Sequence, residues 1–259
     1  MLEVLGGALV GLSLGLMGAG GAILSIPIFT LVLGHAIVVA KIEALAVTAA
    51  IAVFSATRAA IARDVDLPRF AAFAVPGFIG AWLGGPIAKM TPPLAQASLF
   101  GALALVAAWR MTVSQKGSES TELPKLTPRS IALAAATGLV IGILTSVIGV
   151  GGGFLLVPAL VLFANLPIKR AAGTSLLVIA VNSGVGVAAS GVYQRDAFDL
   201  VDWNAVSIVA VCGVVGSVFG ARFAARLPAA VLKRIFAMVL VLVALVVVLK
   251  ESGLLPSGA

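Results

Sequence analysis

The sequence predicts an all-α polytopic membrane protein made of two homologous repeats. Each repeat has four to five helical segments and a glycine-broken or re-entrant half-helix meeting its counterpart near the bilayer midplane. Three observations carry that prediction. Of 259 residues, 61% are hydrophobic and 10% charged, against about 45–50% and about 25% in soluble domains. The apolar runs show no polar alternation, as in LVLVALVVVL at 240–249, which excludes a transmembrane barrel. Residues 18–27, GAGGAILSIP, return nearly unchanged at 149–158 as GVGGGFLLVP.

The apolar segments fall at 3–17, 21–34, 38–62, 69–90, 93–113, 129–148, 153–165, 170–193, 202–225 and 229–249. The breaks carry Arg63, Asp64 and Asp66; Thr91-Pro92-Pro93; Arg195, Asp196, Asp199 and Asp202; and Arg226 before Pro228. These are turn and interface residues. The hydrophilic stretch 114–128 reads as a linker, dividing an N-terminal repeat, 1–113, from a C-terminal repeat, 129–259. The first apolar run has Glu3 where a signal peptide has basic residues, so it is expected to stay as a helix.

The halves match beyond the glycine box. Gly18, Gly20, Gly21, Leu24 and Pro27 align with Gly149, Gly151, Gly152, Leu155 and Pro158. Further on, Gly77, Gly80, Gly84, Pro92 and Phe100 align with Gly213, Gly216, Gly220, Pro228 and Phe236. The latter glycines read as close helix packing. Segments 21–34 and 153–165 are too short to span a core about 30 Å thick and read as half-helices. Four spans per half make the repeats parallel and five make them inverted. The second is preferred because it brings two half-helix starts to one point.

A helix start carries unpaired N–H groups and a partial positive charge. Glycine lets an anion approach them closely. Gly20 and Gly21, with Gly151, Gly152 and Gly153, are therefore candidate anion contacts. The helix after each box carries polar residues. Ser175, Asn182 and Ser190 share one face, as do Lys41, Thr48 and Ser55, and buried polar groups in a bundle either join helices or line a path. Thr174, Ser175, Asn182 and Thr48 are the candidates for lining. Arg58 reaches either the interface or a bound anion. Glu43 reads most simply as an interfacial partner of Lys41, with proton coupling as the alternative, and His35 as an interfacial loop residue.

The net charge of +7 is assigned to short connections facing lipid headgroups, not to nucleic acid. The single Cys212 and single His35 form no metal set, and no cofactor is expected. The glycine runs lack the lysine of a phosphate-binding loop, so neither an enzyme nor a nucleotide-driven pump is expected.

The glycine boxes, the prolines after them and the run KRAAGTSL at 169–176 resemble the TauE/SafE sulfite exporter family, also known as the toluene sulfonate uptake permease family. The resemblance covers essentially the whole chain. It implies a multi-pass secondary carrier of the bacterial inner membrane for sulfite, sulfoacetate or other organosulfonates. It places substrate contacts at Gly20, Gly21, Gly151, Gly152, Gly153, Thr174 and Ser175. The first half departs from it, with Ile42-Glu43-Ala44 where the second has Gly173-Thr174-Ser175. The expected partners are a small anionic substrate and membrane lipid, with a homodimer left open. The rival readings are an anion channel of the same architecture and a membrane scaffold without a substrate.

Overall fold

The computed structural model describes residues 2–18, 24–26, 28–92, 127–148, 153–162 and 166–228, with scattered single residues and pairs between 95 and 109 and between 230 and 245. The helices are α1 (Leu2–Met17), α2 (Ile37–Ile61), α3 (Leu67–Met90), α4 (Pro128–Ile148), α5 (Gly153–Leu162), α6 (Ile168–Tyr193), α7 (Arg195–Phe198) and α8 (Trp203–Arg226), with a π-helical turn at Ile28–Val32 before α2. No strand occurs among the described residues. The expected breaks at 63–66 and 195–202 separate α2 from α3 and α6 from α8.

Among the described residues, four helices are long and apolar enough to cross a membrane: Val38–Ile61, Leu67–Gly84, Ile168–Tyr193 and Trp203–Arg226. α5 has only 10 residues, with Pro158 inside it. At 1.5 Å per residue it is about 15 Å long, half a bilayer core.

The distribution of side chains is that of a protein in lipid. Val211, Val215, Phe219 and Phe223 form an exposed stripe along α8, and Val75, Ile79 and Leu83 form another on α3. Such faces are a liability in water and ordinary against acyl chains. The contacts between helices are made by small residues instead. Lipid removes the hydrophobic drive for helix association, so close backbone packing has to supply the attraction.

The glycines show how this is done. Along α1, Gly7, Gly11 and Gly15 lie against the backbone at Val209, Gly213 and Ser217 of α8, so the two helices run parallel. Gly138 and Gly142 of α4 lie in the same way against Phe73 and Gly77 of α3. Gly80 packs on Leu139 and Ile143, as Gly216 packs on Ala8 and Leu12. Between these two pairs, α2 packs on α6. Gly173 of α6 meets Ala59 and Asp64, whereas Gly186 meets Leu45. As α6 advances α2 retreats, so this central pair is antiparallel.

Candidate functional site

Among the described residues, the central pair α2–α6 carries most of the buried polar side chains, arranged in three levels. At one end lies the Gly173-Thr174-Ser175 motif. A Cβ at Gly173 would overlap the Asp64 carbonyl. Only glycine lets the 63–66 turn lie on α6. There Asp66 N–H donates to Thr174 Oγ1 at 3.0 Å. Asp66 also caps α3, its Oδ1 accepting from Arg69 N–H at 2.9 Å, and its Oδ2 pairs with the Arg69 guanidinium. Asp66, Arg69 and Thr174 are all buried. Ser175 Oγ donates toward Gly18 O and Ala172 O, each at 2.8 Å. Gly18 itself has φ +70 and lies against Ala172. The motif thus anchors the end of α1, where the first glycine box begins, in the second turn of α6.

Two predictions arise here. Thr174→Val removes the only acceptor seen for Asp66 N–H and will lower stability by about 1–3 kcal/mol, the cost of an orphaned buried donor. Thr174→Ser will restore most of it. Ser175→Ala frees the Gly18 carbonyl and will cost about 1 kcal/mol. Thermal unfolding of the purified variants in detergent checks both.

At the other end, Glu43 is fully buried. Its Oε2 lies 2.7 Å from His35 Nδ1 and its Oε1 accepts from Asp202 N–H at 3.0 Å. Asp202 caps α8, its Oδ1 accepting from Asn204 N–H and Ala205 N–H. The expected interfacial pairing of Glu43 with Lys41 is therefore corrected: the carboxylate points into the protein and finds an imidazole and an amide. His35 does lie in the loop before α2, with its side chain 24% exposed.

The two ends use the same construction. Glu43 and Thr174 stand at the offset that relates the glycine boxes (18 against 149), and Asp66 and Asp202 at the offset that relates Gly77 to Gly213. Each accepts the amide of the aspartate that opens the next long helix of the opposite half. The backbone agrees: His35 N–H donates to Phe29 O and Leu166 N–H to Leu160 O. The anchoring Glu43–Asp202 contact was missed in the sequence. Its signal was available, since Asp66 and Asp202 both immediately precede a long apolar helix.

The middle level is different. Among the described residues, Thr48 Oγ1, Ser55 Oγ, Asn182 Oδ1 and Ser183 Oγ are buried without a hydrogen-bond partner, as is Ser13 Oγ on α1. The usual outlet for a hydroxyl on an apolar helix is the carbonyl four residues back. Thr57, Thr137, Ser190 and Ser207 all take it. The register set by Gly173 and Gly186 puts Thr48 level with Asn182 and Ser183, midway along both helices.

Of the remaining candidates, Arg58 is half-buried in the last turn of α2. Among the described residues its guanidinium joins neither of the two ion pairs. Gly153 opens α5. Gly20, Gly21, Gly151 and Gly152 lie outside the described residues. No group of three or more metal-ligating side chains occurs among the described residues.

A family model described as sulfite exporter TauE/SafE matches residues 3–247. The chain belongs to the TauE/SafE family. It is 31% identical over 249 residues to a probable membrane transporter protein of Xylella fastidiosa strain 9a5c, spanning 93% of this chain and 92% of that one. A counterpart in strain Temecula1 is 30% identical over 245 residues, with the same coverage. A probable membrane transporter protein of Methanocaldococcus jannaschii is 30% identical over 115 residues, 42% of this chain and 41% of that one. This TauE/SafE member is thus a multi-pass membrane transporter protein.

Proposed function

We propose that the chain is a secondary active transporter of small sulfur-containing anions, sulfite, sulfoacetate or another organosulfonate, working across the bacterial inner membrane by alternating access. The observation that carries this reading is the level of unpartnered polar groups at Thr48, Asn182 and Ser183. A buried polar atom without a partner costs free energy, and a chain that leaves several together at mid-depth is equipped for a polar guest. Hydroxyls and a carboxamide donate to oxyanions without adding charge. An amide exchanges its N and O positions by a half-turn, so Asn182 can present NH₂ where Oδ1 stands.

In this reading the two halves are inverted repeats. Matching contacts support it: α1 lies on α8 as α4 lies on α3, residue for residue at the offsets of the glycine alignment. The central pair is antiparallel, as a two-fold axis in the membrane plane requires. That axis passes α2 and α6 near Ala50 and Val181, beside Thr48 and Asn182. Glycine boxes at Gly20 and Gly21 and at Gly151, Gly152 and Gly153 offer backbone amides to the anion as it enters or leaves. Thr174, Ser175 and Arg58 stand at the end where the first box begins.

Counterflow in proteoliposomes tests the proposal. Vesicles loaded with unlabelled sulfite or sulfoacetate will accumulate the labelled anion transiently, with saturation, and matched cations will not compete. Flux that never saturates and shows no counterflow makes the protein a channel. Absence of any anion flux or thermal stabilisation by these anions leaves the scaffold reading standing.

A further inference from the structure

We propose that His35 and Glu43 form the proton-binding site that couples anion movement to the proton gradient, reporting its occupancy to α8 through the Asp202 amide. The inference rests on the transport reading above and names its coupling ion.

The argument is one of surplus chemistry. Holding the amide that opens the next helix needs only a hydrogen-bond acceptor, and at the opposite end of the central pair Thr174 does it with a neutral hydroxyl. In the first half the same task falls to a fully buried carboxylate with an imidazole 2.7 Å away. The position equivalent to His35 is Leu166, an apolar side chain that is fully buried. At Thr174 the acceptor for the helix-opening amide is thus a neutral group, whereas at Glu43 it is itself titratable and has a second titratable group beside it. Burying a carboxylate is costly in a low-dielectric surrounding, so its retention calls for a task that a threonine cannot perform.

Proton uptake is a natural one. With His35 neutral the pair carries one negative charge. A proton entering through the exposed part of the imidazole gives an imidazolium beside the carboxylate, and the pair becomes net neutral. The carboxylate is then drawn toward the imidazolium and holds the Asp202 amide less strongly. That amide opens α8, which packs along the whole of α1. The other charged or titratable groups at this end of the surrounding elements are Glu3 on α1, Lys41 on α2, Tyr193 on α6, Arg195 and Asp196 on α7, Asp199 after it, and Asp202, while Arg58 of α2, Lys169 and Arg170 of α6, and Cys212, Arg222 and Arg226 of α8 stand further along their helices. None of them is ion-paired with His35 or Glu43 among the described residues.

The test converts this end into the other. The double variant His35→Leu, Glu43→Thr carries the residue pair found at Leu166 and Thr174, and Glu43→Gln keeps an acceptor for the Asp202 amide as a second variant. Full-length proteins in proteoliposomes are compared for two activities with sulfoacetate, whose charge is constant near neutral pH. Exchange needs no net proton movement. Accumulation driven by an imposed pH gradient does, and for one coupled proton about one pH unit sustains roughly a tenfold ratio. The wild type is expected to do both. The variants are expected to retain exchange and lose gradient-driven accumulation. Variants that still accumulate anion on a pH gradient overturn the inference while leaving transport intact, as does a wild type that exchanges but ignores the gradient. A wild type that exchanges neither sulfoacetate nor sulfite removes the transport reading itself, and the coupling with it.

Discussion

Gly11→Val will yield no folded protein in the membrane. A Cβ at position 11 would sit inside the Gly213 backbone, meeting its carbonyl and Cα. Backbone faces it from both helices, so no side chain can rotate away and α1 has to part from α8. Overpacking of an ordinary core costs about 1–3 kcal/mol, and more where nothing yields. Here the lost surface is the close contact of α1 with α8 at Gly7, Gly11 and Gly15, and in lipid no hydrophobic term holds the helices together while they readjust. Gly142→Val will do the same to α4 and α3, because its Cβ would overlap Gly77. The control is Gly184, which has nothing within 4 Å of an added Cβ. Gly184→Ala will leave the melting temperature unchanged or raise it, since alanine is the better helix former by about 0.8–1 kcal/mol. Yield and monodispersity after detergent extraction report all three. A well-behaved Gly11→Val protein contradicts the parallel α1–α8 contact.

Asn182→Leu will separate stability from transport. The Oδ1 atom has no partner among the described residues, so its removal relieves a desolvation cost and the variant should melt at or above the wild-type temperature. Transport of sulfite or sulfoacetate should fall by about ten- to a hundredfold, the worth of one hydrogen bond to a charged group. Combining it with Thr48→Val will lower the flux further without loss of fold. Glue between helices behaves in the opposite way: losing a partnered amide lowers stability and leaves any remaining folded protein active. A destabilised Asn182→Leu protein with normal flux per folded molecule would remove Asn182 from the substrate path.

The residues differ in how far they announced themselves. The helix boundaries were legible, because they follow from runs of apolar residues ended by charge or proline. The small-residue packing at Gly77, Gly80, Gly213, Gly216 and Gly220 was legible too, because glycines three and four apart make a groove on any helix. The Gly173-Thr174-Ser175 motif could be located but not interpreted. Each of its residues acts on a chain segment far away in sequence: Asp64, Asp66 and Gly18. Glu43 was placed beside Lys41 because neighbours on one helix turn are the only partners that a linear reading supplies. Its actual partners come from a loop and from the opposite half.

The sequence alone determined that this is a helical membrane protein with a polar face on the helix after each glycine box, and composition, segment length and short-range periodicity, all local quantities, suffice for that. Its likeness to the TauE/SafE family lay in the glycine boxes and the KRAAGTSL run, and the family model matches residues 3–247. Only the tertiary structure decided which polar groups are spent on holding the chain and which are left without partners. Whether Thr174 is an anchor and Thr48 an orphan depends on what the opposite helix brings to each, and that is set by the antiparallel register of α2 against α6.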